Sequence, residues 1–188
     1  MRIISGIWKG KTIAVPQEGT RPSMDRTRQA LFNMLQHVVE GANVLDLYAG
    51  SGALALESLS RGATVATCVE NDKNAVRVIQ QNASSLGCST LQATQLEVEK
   101  FLSTSKQSNI SLIFADPPYE KNFLDSQLFQ ALNHEALPDL MKENALFIAE
   151  SPKKLSESDL KTLPDYWTVL TQRKYGKSFI TVFEYNQI

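Results

Sequence analysis

The sequence has few of the residues that build metal sites and disulfide frameworks. It contains two cysteines, Cys68 and Cys88, and two histidines, His37 and His134, and no C-x-x-C pair among 188 residues. Metal-binding and disulfide-rich proteins need such residues in clusters at short spacings. We therefore expect neither a metal centre nor a disulfide scaffold. Cys68 lies in an apolar run and is predicted to be a small buried residue.

Long apolar runs are also missing. No stretch approaches the roughly 20 apolar residues of a membrane-spanning helix, and the first residues contain no apolar signal-peptide core. Glycine and proline, with 9 and 7 residues, dominate no segment, and no internal repeat is visible. With 43% hydrophobic residues the chain can build one packed core. We predict a cytoplasmic protein without a membrane partner.

A strong overall charge is the third feature that the chain lacks. Its formal net charge is −1, which taken alone argues against a nucleic-acid partner. The distribution is uneven, however, because residues 1–28 carry +4 and the remaining 160 residues carry −5. This asymmetry predicts a basic N-terminal region attached to an acidic body. A charged surface with no partner is the alternative.

The residues that are present point first to the stretch Ile110–Glu120. Its apolar part, Ile110–Ala115, is typical of a strand that is buried on both faces of a parallel sheet. Pro117 and Pro118 have no N–H to continue the strand, so Asp116 is expected at its carboxyl end. Open α/β sheets bind their ligands at that edge, which makes Asp116 a candidate functional residue.

The four residues Asp116 to Tyr119 suit the binding of a planar base with an exocyclic amine. Such an amine is a poor nucleophile, because its lone pair is delocalised into the ring. Hydrogen bonds from the amine to Asp116 and to the Pro117 carbonyl would localise that lone pair toward an electrophile. The Tyr119 ring can stack on the base, which is worth roughly 1–3 kcal/mol. A strand end with a plain turn and a surface Asp is the alternative.

A second candidate site lies in residues 43–70. Strands are predicted at Asn43–Tyr48 and Thr64–Glu70, with a glycine-rich turn at 49–52 and the helix Ala53–Arg61 between them. The turn fits the G-x-G-x-x-G/A pattern, and Glu70 follows it by 18 residues. The glycines let a ligand approach the backbone, and the Glu70 carboxylate can accept hydrogen bonds from both hydroxyls of a ribose. Dinucleotide binding and a plain tight turn both stay open.

The N-terminal region combines a predicted hairpin with a predicted helix. Met1–Val15 is typical of a β-hairpin with Trp8 near its tip. Asp25 is predicted to cap a helix from about Arg26 to His37. Basic residues at a helix start oppose the helix dipole, which indicates binding of phosphates or of a cofactor carboxylate. The basic residues concerned are Arg21, Arg26 and Arg28.

The rest of the chain alternates strands and helices and ends in a hairpin. Further strands are expected at 90–93, 110–115 and 145–149, and helices at 72–86, 97–102 and 122–133. Strands at 167–172 and 178–185 enclose a basic tip. We predict an α/β fold: a Rossmann-like, doubly wound, seven-stranded and mostly parallel sheet with one antiparallel strand, plus the N-terminal hairpin. Residues 1–20 are expected to form a basic extension on a catalytic domain of residues 21–188.

Several motifs resemble a known enzyme family. L-D-L-Y-A-G-S-G at 45–52, with A-L-E-S-L-S-R-G-A at 55–63, resembles the glycine motif of class I S-adenosylmethionine-dependent methyltransferases. D-P-P-Y at 116–119 resembles the motif found in methyltransferases that act on an exocyclic amine, at N6 of adenine, N4 of cytosine or N2 of guanine. Three motifs closely resemble the bacterial rRNA methyltransferase family RsmD: R-I-I-S-G-x-W-K-G-K at 2–11, R-P-S-M-D-R-T-R-Q-A-L-F-N at 21–33 and K-Y-G-K-S at 174–178.

The resemblance spans nearly the whole chain and implies methyl transfer from S-adenosylmethionine to N2 of one guanine in 16S rRNA. The expected enzyme is a monomer that acts on a small-subunit assembly particle. The implied catalytic residues are Asp116, Pro117, Pro118 and Tyr119. The implied cofactor-binding residues are Asp46, Tyr48, Ala49, Gly50, Ser51, Gly52, Glu70, Asn71, Glu97, Val98 and Asp116. The expected RNA contacts are Arg2, Trp8, Lys9, Lys11, Arg21, Arg26, Arg28, Lys174 and Lys177.

Two residues depart from the family pattern, and three other functions compete. Glu97 stands where the family usually has Asp or Asn, and Tyr119 where it often has Phe, so the Tyr119 hydroxyl should not be essential. A nicotinamide oxidoreductase would share the glycine turn but would leave D-P-P-Y without a role. A DNA or RNA adenine-N6 methyltransferase would share D-P-P-Y, and the DNA enzymes usually carry a recognition domain. A non-catalytic RNA-binding module is the third alternative.

Overall fold

The computed structural model describes residues 1–16, 22–120 and 122–187, without the side chains of residues 22–25. Its helices are α1 Pro22–Met34, α2 Ala53–Ser60, α3 Lys73–Ser85, α4 Val98–Thr104, α5 Gln127–Leu132, α6 Leu137–Leu140 and α7 Glu157–Leu160. A 3₁₀ turn covers Phe123–Asp125. The strands are β1 Asn43–Leu47, β2 Val65–Glu70, β3 Leu91–Gln95, β4 Ile110–Ala115, β5 Met141–Ser151, β6 Trp167–Tyr175 and β7 Ser178–Tyr185.

Within the described residues, the strands form one seven-stranded sheet in the order β3-β2-β1-β4-β5-β7-β6. Strands β3, β2, β1, β4 and β5 pair in parallel, and β7 is antiparallel to both β5 and β6. The predicted doubly wound sheet with one antiparallel strand is therefore confirmed. The strand order reverses direction at β1, and ligands of such sheets bind beside that point, at the carboxyl ends of the strands.

Strand β4 shows how the sequence places helices on both faces of the sheet. All six of its residues are buried. Leu112 and Phe114 pack with α1, α2 and α3, whereas Ile113 and Ala115 pack with α4, α5 and α6. Because successive strand residues point to opposite faces, this continuous apolar run fills two cores.

Helix α1 begins and ends earlier than predicted. It starts at Pro22, so Asp25 lies inside the helix and is not its N-cap. Proline suits the first helical position, since its φ is already helical and its missing N–H would have no partner there. The helix ends at Met34 rather than His37. Arg21 lies outside the described residues.

The predicted helix over residues 122–133 is interrupted at Ser126. The Ser126 hydroxyl donates to the Phe123 carbonyl (2.6 Å) and accepts from the Phe129 amide (3.1 Å). It therefore ends the 3₁₀ turn and caps α5, which is the local competition with helix continuation that serine side chains often provide. Helix α6 was not expected from the sequence, and β5 is longer at both ends than the expected strand at residues 145–149.

The N-terminal segment, residues 1–16, forms a hairpin-shaped loop in place of the predicted two-stranded hairpin. Its own pairing consists of one isolated antiparallel bridge between Arg2 and Thr12 and a few backbone hydrogen bonds beside it, from the Ile3 amide to the Lys11 carbonyl (2.9 Å) and from the Ile13 amide to the Met1 carbonyl (2.8 Å). The ends of the segment belong to the body, because the buried side chains Ile3 and Ile13 pack on α2 and α3. The position of the segment is therefore set by its contacts with these helices more than by its own ladder.

Hydrogen bonds to residues of α2 fix the N-terminal segment in place. Glu57 is fully buried, and its carboxylate accepts from the amides of Ile4 (2.8 Å) and Ser5 (3.0 Å). The Ser60 carbonyl accepts from the Ile7 amide at 2.8 Å. A Cβ on Gly6 would lie 1.7 Å from that carbonyl oxygen, so only glycine allows this approach. Unpaired buried backbone groups are costly, which makes these contacts strong determinants of the segment's position.

No helix in the part of the chain that the structure describes is long and apolar enough to cross a membrane.

Candidate active site

Acidic residues lie at or near the carboxyl ends of neighbouring strands. Asp46 lies in β1, Glu70 ends β2, and Asp116 directly follows β4. On the far side of β4, Ala149 of β5 pairs with Ala115, so Glu150 comes next to Asp116. The sequence-predicted residues of the two candidate sites are thus brought together at one edge.

The glycine-rich turn after β1 has an unusual backbone. Tyr48, Gly50 and Gly52 all have positive φ, at 60°, 55° and 73°. For an aromatic residue this conformation is strained, and such strain is concentrated at functional sites. The Gly50 amide donates to the Glu70 carboxylate at 2.8 Å, which ties the turn to the end of β2. This hydrogen bond fixes the conformation of the turn, whose backbone groups a ligand can approach closely because the glycines have no side chains.

The residues expected around a ribose and its base lie close together at the ends of β2 and β3. Glu70 also accepts from the Asp72 amide at 2.9 Å, so both of its oxygens are oriented. Asn71 donates its side-chain amide to Glu97 at 3.1 Å. Asn71 and Glu97 are exposed, whereas the Val98 side chain is buried. Val98 can therefore shape the site by packing but offers little surface to a ligand.

Asp46 is a buried carboxyl group, with 3% of its surface exposed. It accepts from the Ala55 amide of α2 at 3.2 Å. Burial raises the pKa of Asp46 well above its usual value, the Ala55 hydrogen bond lowers it, and the charges of Asp116 and Glu70 raise it again. The carboxylates of the site thus repel each other, and a bound cation would relieve that repulsion.

Asp116 is the most exposed of these acids, since part of its side chain is open to water at the strand end. Burial among the surrounding protein atoms, and then the charge of Glu150, raise the pKa of Asp116 to about 7. A carboxyl group with this pKa can exchange its proton near neutral pH, which is common at catalytic sites.

Tyr119 is half exposed, and its hydroxyl is held by two groups. It donates to Glu150 Oε1 at 2.9 Å and shares a hydrogen bond with Ser178 Oγ at 2.7 Å. Burial is the largest of the effects that raise the pKa of this phenol. The contacts fix the ring between β5 and β7, so Tyr119 is positioned to receive a flat ligand.

A cavity of about 210 Å³ opens beside this loop. One wall is formed by Pro117, Pro118 and Tyr119, and another by residues 150–155, which include the end of β5 and the loop that follows it. Its polar lining includes Glu150, Lys153, Lys154 and Asp159. A concave, mixed polar and apolar site next to a group of perturbed pKa is the usual form of a small-ligand pocket.

The predicted RNA contacts are spread over two parts of the surface, and one of them is buried. Arg2, Lys9 and Arg26 line a second cavity of about 500 Å³ between the N-terminal segment and α1. Lys174 and Lys177 are exposed at the β6–β7 hairpin. Arg28 is the exception: it is only 6% exposed and lies against Glu57, 3.8 Å from its carboxylate. The expectation that Arg28 contacts RNA does not fit this burial, because its guanidinium faces the interior of the fold.

Two more predicted RNA contacts differ in their exposure. Lys11 is exposed. Trp8 is partly buried and packs on the core, and its backbone amide donates to Ser60 Oγ at 3.0 Å. These contacts show that Trp8 packs the N-terminal segment on the body. Its exposed part can still border an RNA surface.

Sequence reasoning missed Glu150 and Ser178. Glu150 follows the apolar run 145–149 as Asp116 follows 110–115, so the same strand-end pattern would have found it. Ser178 gives no comparable signal, since its role depends on the pairing of β5 with β7. Among the described residues, no group of three or more histidine, cysteine, aspartate or glutamate side chains could hold a metal ion.

Comparisons with known proteins show which family the chain resembles. The sequence model of a family described as "Conserved hypothetical protein 95" matches residues 1–184. The ribosomal RNA small subunit methyltransferase D of Haemophilus influenzae is 34% identical over 180 residues, covering 94% of this chain and 89% of that protein. The protein of the same name from Escherichia coli (strain K12) is 34% identical over 178 residues, with coverages of 94% and 86%.

A solved structure described as the putative methyltransferase yhhF from Escherichia coli matches with a TM-score of 0.84 and 29% identity. The match covers 100% of this chain and 99% of that one. The fold, the glycine turn and the D-P-P-Y strand end together define a methyltransferase with a Rossmann-like sheet. The chain belongs to the RsmD family, because the family model and both curated relatives cover nearly all of it.

Proposed function

We propose that the protein transfers a methyl group from S-adenosylmethionine to the N2 amine of a guanine in 16S rRNA of the small ribosomal subunit. The observation that carries the proposal is Asp116, of raised pKa, at the carboxyl end of β4 before two prolines and a fixed tyrosine ring. The relatives named for small-subunit rRNA support the substrate class. Incubation with labelled S-adenosylmethionine and rRNA tests the proposal.

The residues at the edge of the sheet fit S-adenosylmethionine. Its sulfonium makes the methyl group electrophilic, and the molecule is a cation overall. Asp46, Glu70 and Asp116 repel each other electrostatically, so the site favours a positively charged ligand. Glu70 lies at the end of β2, where its carboxylate oxygens can accept hydrogen bonds from the two ribose hydroxyls. The turn at 49–52 offers backbone to the rest of the ligand, and Asn71 and Glu97 border the adenine side.

The work of the protein is then mainly positioning. Asp116 and the Pro117 carbonyl accept hydrogen bonds from the two amine N–H groups, which directs the nitrogen lone pair at the methyl group. The C–S bond of the cofactor breaks as the C–N bond forms, so S-adenosylhomocysteine leaves, and the methylated nitrogen then loses one proton. Tyr119 stacks on the base from its fixed position. Correct placement of two reactants can supply roughly 7–11 kcal/mol of a barrier. No covalent intermediate on the protein is needed.

We expect Glu70→Ala to weaken S-adenosylmethionine binding by about 1.5–3 kcal/mol, because the charge-assisted bonds to the ribose are lost. Isothermal titration calorimetry measures this directly. Glu40→Ala is the matched control, since Glu40 is exposed and precedes β1 at the opposite edge of the sheet. Binding of NAD in place of S-adenosylmethionine would reject the cofactor assignment.

We propose that RNA binds along the basic groove between the N-terminal segment and α1, and at the β6–β7 hairpin. Arg2, Lys9 and Arg26 line the groove, and the remainder of the body is acidic. A few phosphate contacts give modest, salt-dependent affinity, so selection of one guanine would depend on the shape of the RNA around a splayed-out base. A protein-bound assembly particle can present such a shape. In this proposal residues 1–20 are the RNA-contacting extension of a catalytic domain of residues 21–188, and one monomer acts.

Replacing Lys9 and Arg26 together with alanine is expected to weaken RNA binding and to reduce the salt slope of log K by about 2. S-adenosylmethionine affinity should stay within twofold of wild type. Filter binding over a salt series measures the slope. The control is Lys142→Ala with Lys161→Ala, both exposed and on other parts of the surface. An equal loss in both double variants would show that only overall charge matters.

The other functions explain less of the site. A nicotinamide oxidoreductase leaves Asp116, the two prolines and Tyr119 without a role. An adenine-N6 methyltransferase accounts for them, and only the identity of the product separates it from the proposal. A non-catalytic RNA-binding module has no need for a carboxyl group of raised pKa beside the glycine turn.

A further inference from the structure

Two carboxylates stand side by side where the base would be bound. Strands β4 and β5 are parallel, and Ala115 pairs with Ala149, so Asp116 and Glu150 follow at the same level. Adjacent strands are about 4.8 Å apart. Asp116 is the residue assigned to the amine, and Glu150 has no role in the proposed transfer.

Glu150 has one oxygen in use and one available. Its Oε1 accepts from the Tyr119 hydroxyl, which fixes the direction of the carboxylate. Its Oε2 receives no hydrogen bond from the residues that the structure describes, and the side chain lines the cavity next to Pro117 and Pro118. The pocket therefore contains a positioned acceptor beside the amine-binding pair.

The bases differ in the ring nitrogen next to the exocyclic amine. In guanine that nitrogen, N1, carries a hydrogen and is a donor, like the N2 amine beside it. In adenine the neighbouring N1 has a lone pair and no hydrogen, and cytosine N3 is the same. Two adjacent acceptors match the donor pair of guanine, whereas they place a carboxylate lone pair against a nitrogen lone pair in the other two bases.

We propose that Glu150 accepts the N1–H of the target guanine and is the residue that selects guanine over adenine and cytosine. This role rests on the proposed function, since it concerns the base in the same site. The two parts of Tyr119 then have separate roles. Its ring stacks on the base, and its hydroxyl orients Glu150. Specific sites commonly combine attraction of the right ligand with repulsion of the wrong one.

The test uses 2-aminopurine, which keeps the N2 amine but has an unprotonated N1. A 16S rRNA with a single guanine or 2-aminopurine at the mapped position is assembled into a small-subunit particle. The wild-type enzyme should methylate guanine about 10- to 100-fold better, as kcat/KM. Glu150→Gln should reduce this preference at least about tenfold, because its amide N–H can donate to N1 of 2-aminopurine.

Ser178→Ala is the matched control. Ser178 contacts the same Tyr119 hydroxyl, so its loss disturbs the loop but leaves the carboxylate. The guanine preference should then stay within twofold of wild type, whatever the rate. If Glu150→Gln turns over too slowly to measure, competition binding of the two RNAs to both proteins is measured instead, and the preference for the guanine RNA should again be smaller in Glu150→Gln than in wild type.

Equal preferences in wild type and Glu150→Gln would overturn the role of Glu150 while leaving the proposed function intact. A change in preference of the same size in Ser178→Ala would also overturn it, by showing that Glu150 acts only through the position of Tyr119. If the wild-type enzyme methylates no guanine at all, the proposed function itself fails, and the role of Glu150 fails with it.

Discussion

Replacing Asp116 with asparagine is expected to lower the rate of methyl transfer about 10²- to 10³-fold, a typical cost for removing one pre-positioned group at the reacting centre. Asparagine keeps the shape of the side chain but brings an N–H₂ that can face the amine of the base. S-adenosylmethionine affinity should fall less than tenfold, since Glu70 and the glycine turn remain. Single-turnover rates and calorimetry measure the two effects separately.

The pH dependence of kcat/KM also tests the role of Asp116. The pKa of Asp116 is raised to about 7, so the carboxylate form is lost as pH falls through that value. An enzyme that needs the carboxylate as acceptor should show kcat/KM rising with pH through about 7. Asp165→Asn, at an exposed position away from the site, is the control. Near-normal turnover of Asp116→Asn would show that the amine is not held by this residue.

Replacing Glu57 with alanine is expected to destabilise the fold by about 3–5 kcal/mol, the usual cost of removing one partner of a buried ion pair. Glu57 is fully buried and accepts from Arg61 Nε at 2.8 Å, and Arg28 also lies beside it. Its loss leaves these two guanidinium groups without their buried anion. The amides of Ile4 and Ser5 lose their acceptor as well.

Urea denaturation followed by circular dichroism measures the loss as a lower midpoint with little change in slope. Glu57→Gln should be intermediate, because it keeps an acceptor but not the charge. Glu135→Ala is the control, at an exposed site with no hydrogen bond in the described part of the chain. A loss below about 1 kcal/mol for Glu57→Ala would contradict the importance of the ion pair.

The Glu57 network also changes how the N-terminal segment can be studied. Deleting residues 1–16 uncovers Glu57 and removes Ile3 and Ile13 from their core contacts. The truncated protein would lose RNA methylation through instability as well as through loss of RNA contacts. Substitution of the exposed Lys9 and Arg26 separates the two effects, because neither side chain is buried.

The sheet and the two predicted sites followed from local sequence patterns. The apolar run before Asp116 and the glycine turn before α2 each have a signal within a few residues, and both lie where expected. Strand β4 begins at Ile110 and ends at Ala115, as predicted. Polar residues before an apolar run and prolines after it restrict where a buried strand can begin and end.

The features that were missed depend on residues far apart in sequence. Glu57 reads as one more charged helical residue, and its burial appears only when the N-terminal segment is packed on α2. Burial beside Glu57 likewise makes Arg28 part of the interior, although the sequence suggested an exposed RNA contact. Glu150 acquires its neighbours, Asp116 and Tyr119, only through the pairing of β4 with β5 and the position of the loop after β4.

The most direct test of the central claim is to identify the methylated nucleoside. The protein is incubated with labelled S-adenosylmethionine and small-subunit particles from a bacterial strain that lacks the gene. The 16S rRNA is then digested to nucleosides for mass spectrometry, and the modified position is mapped. The proposed function predicts N2-methylguanosine at one position. N6-methyladenosine as the product, or no transfer to rRNA at all, would contradict it.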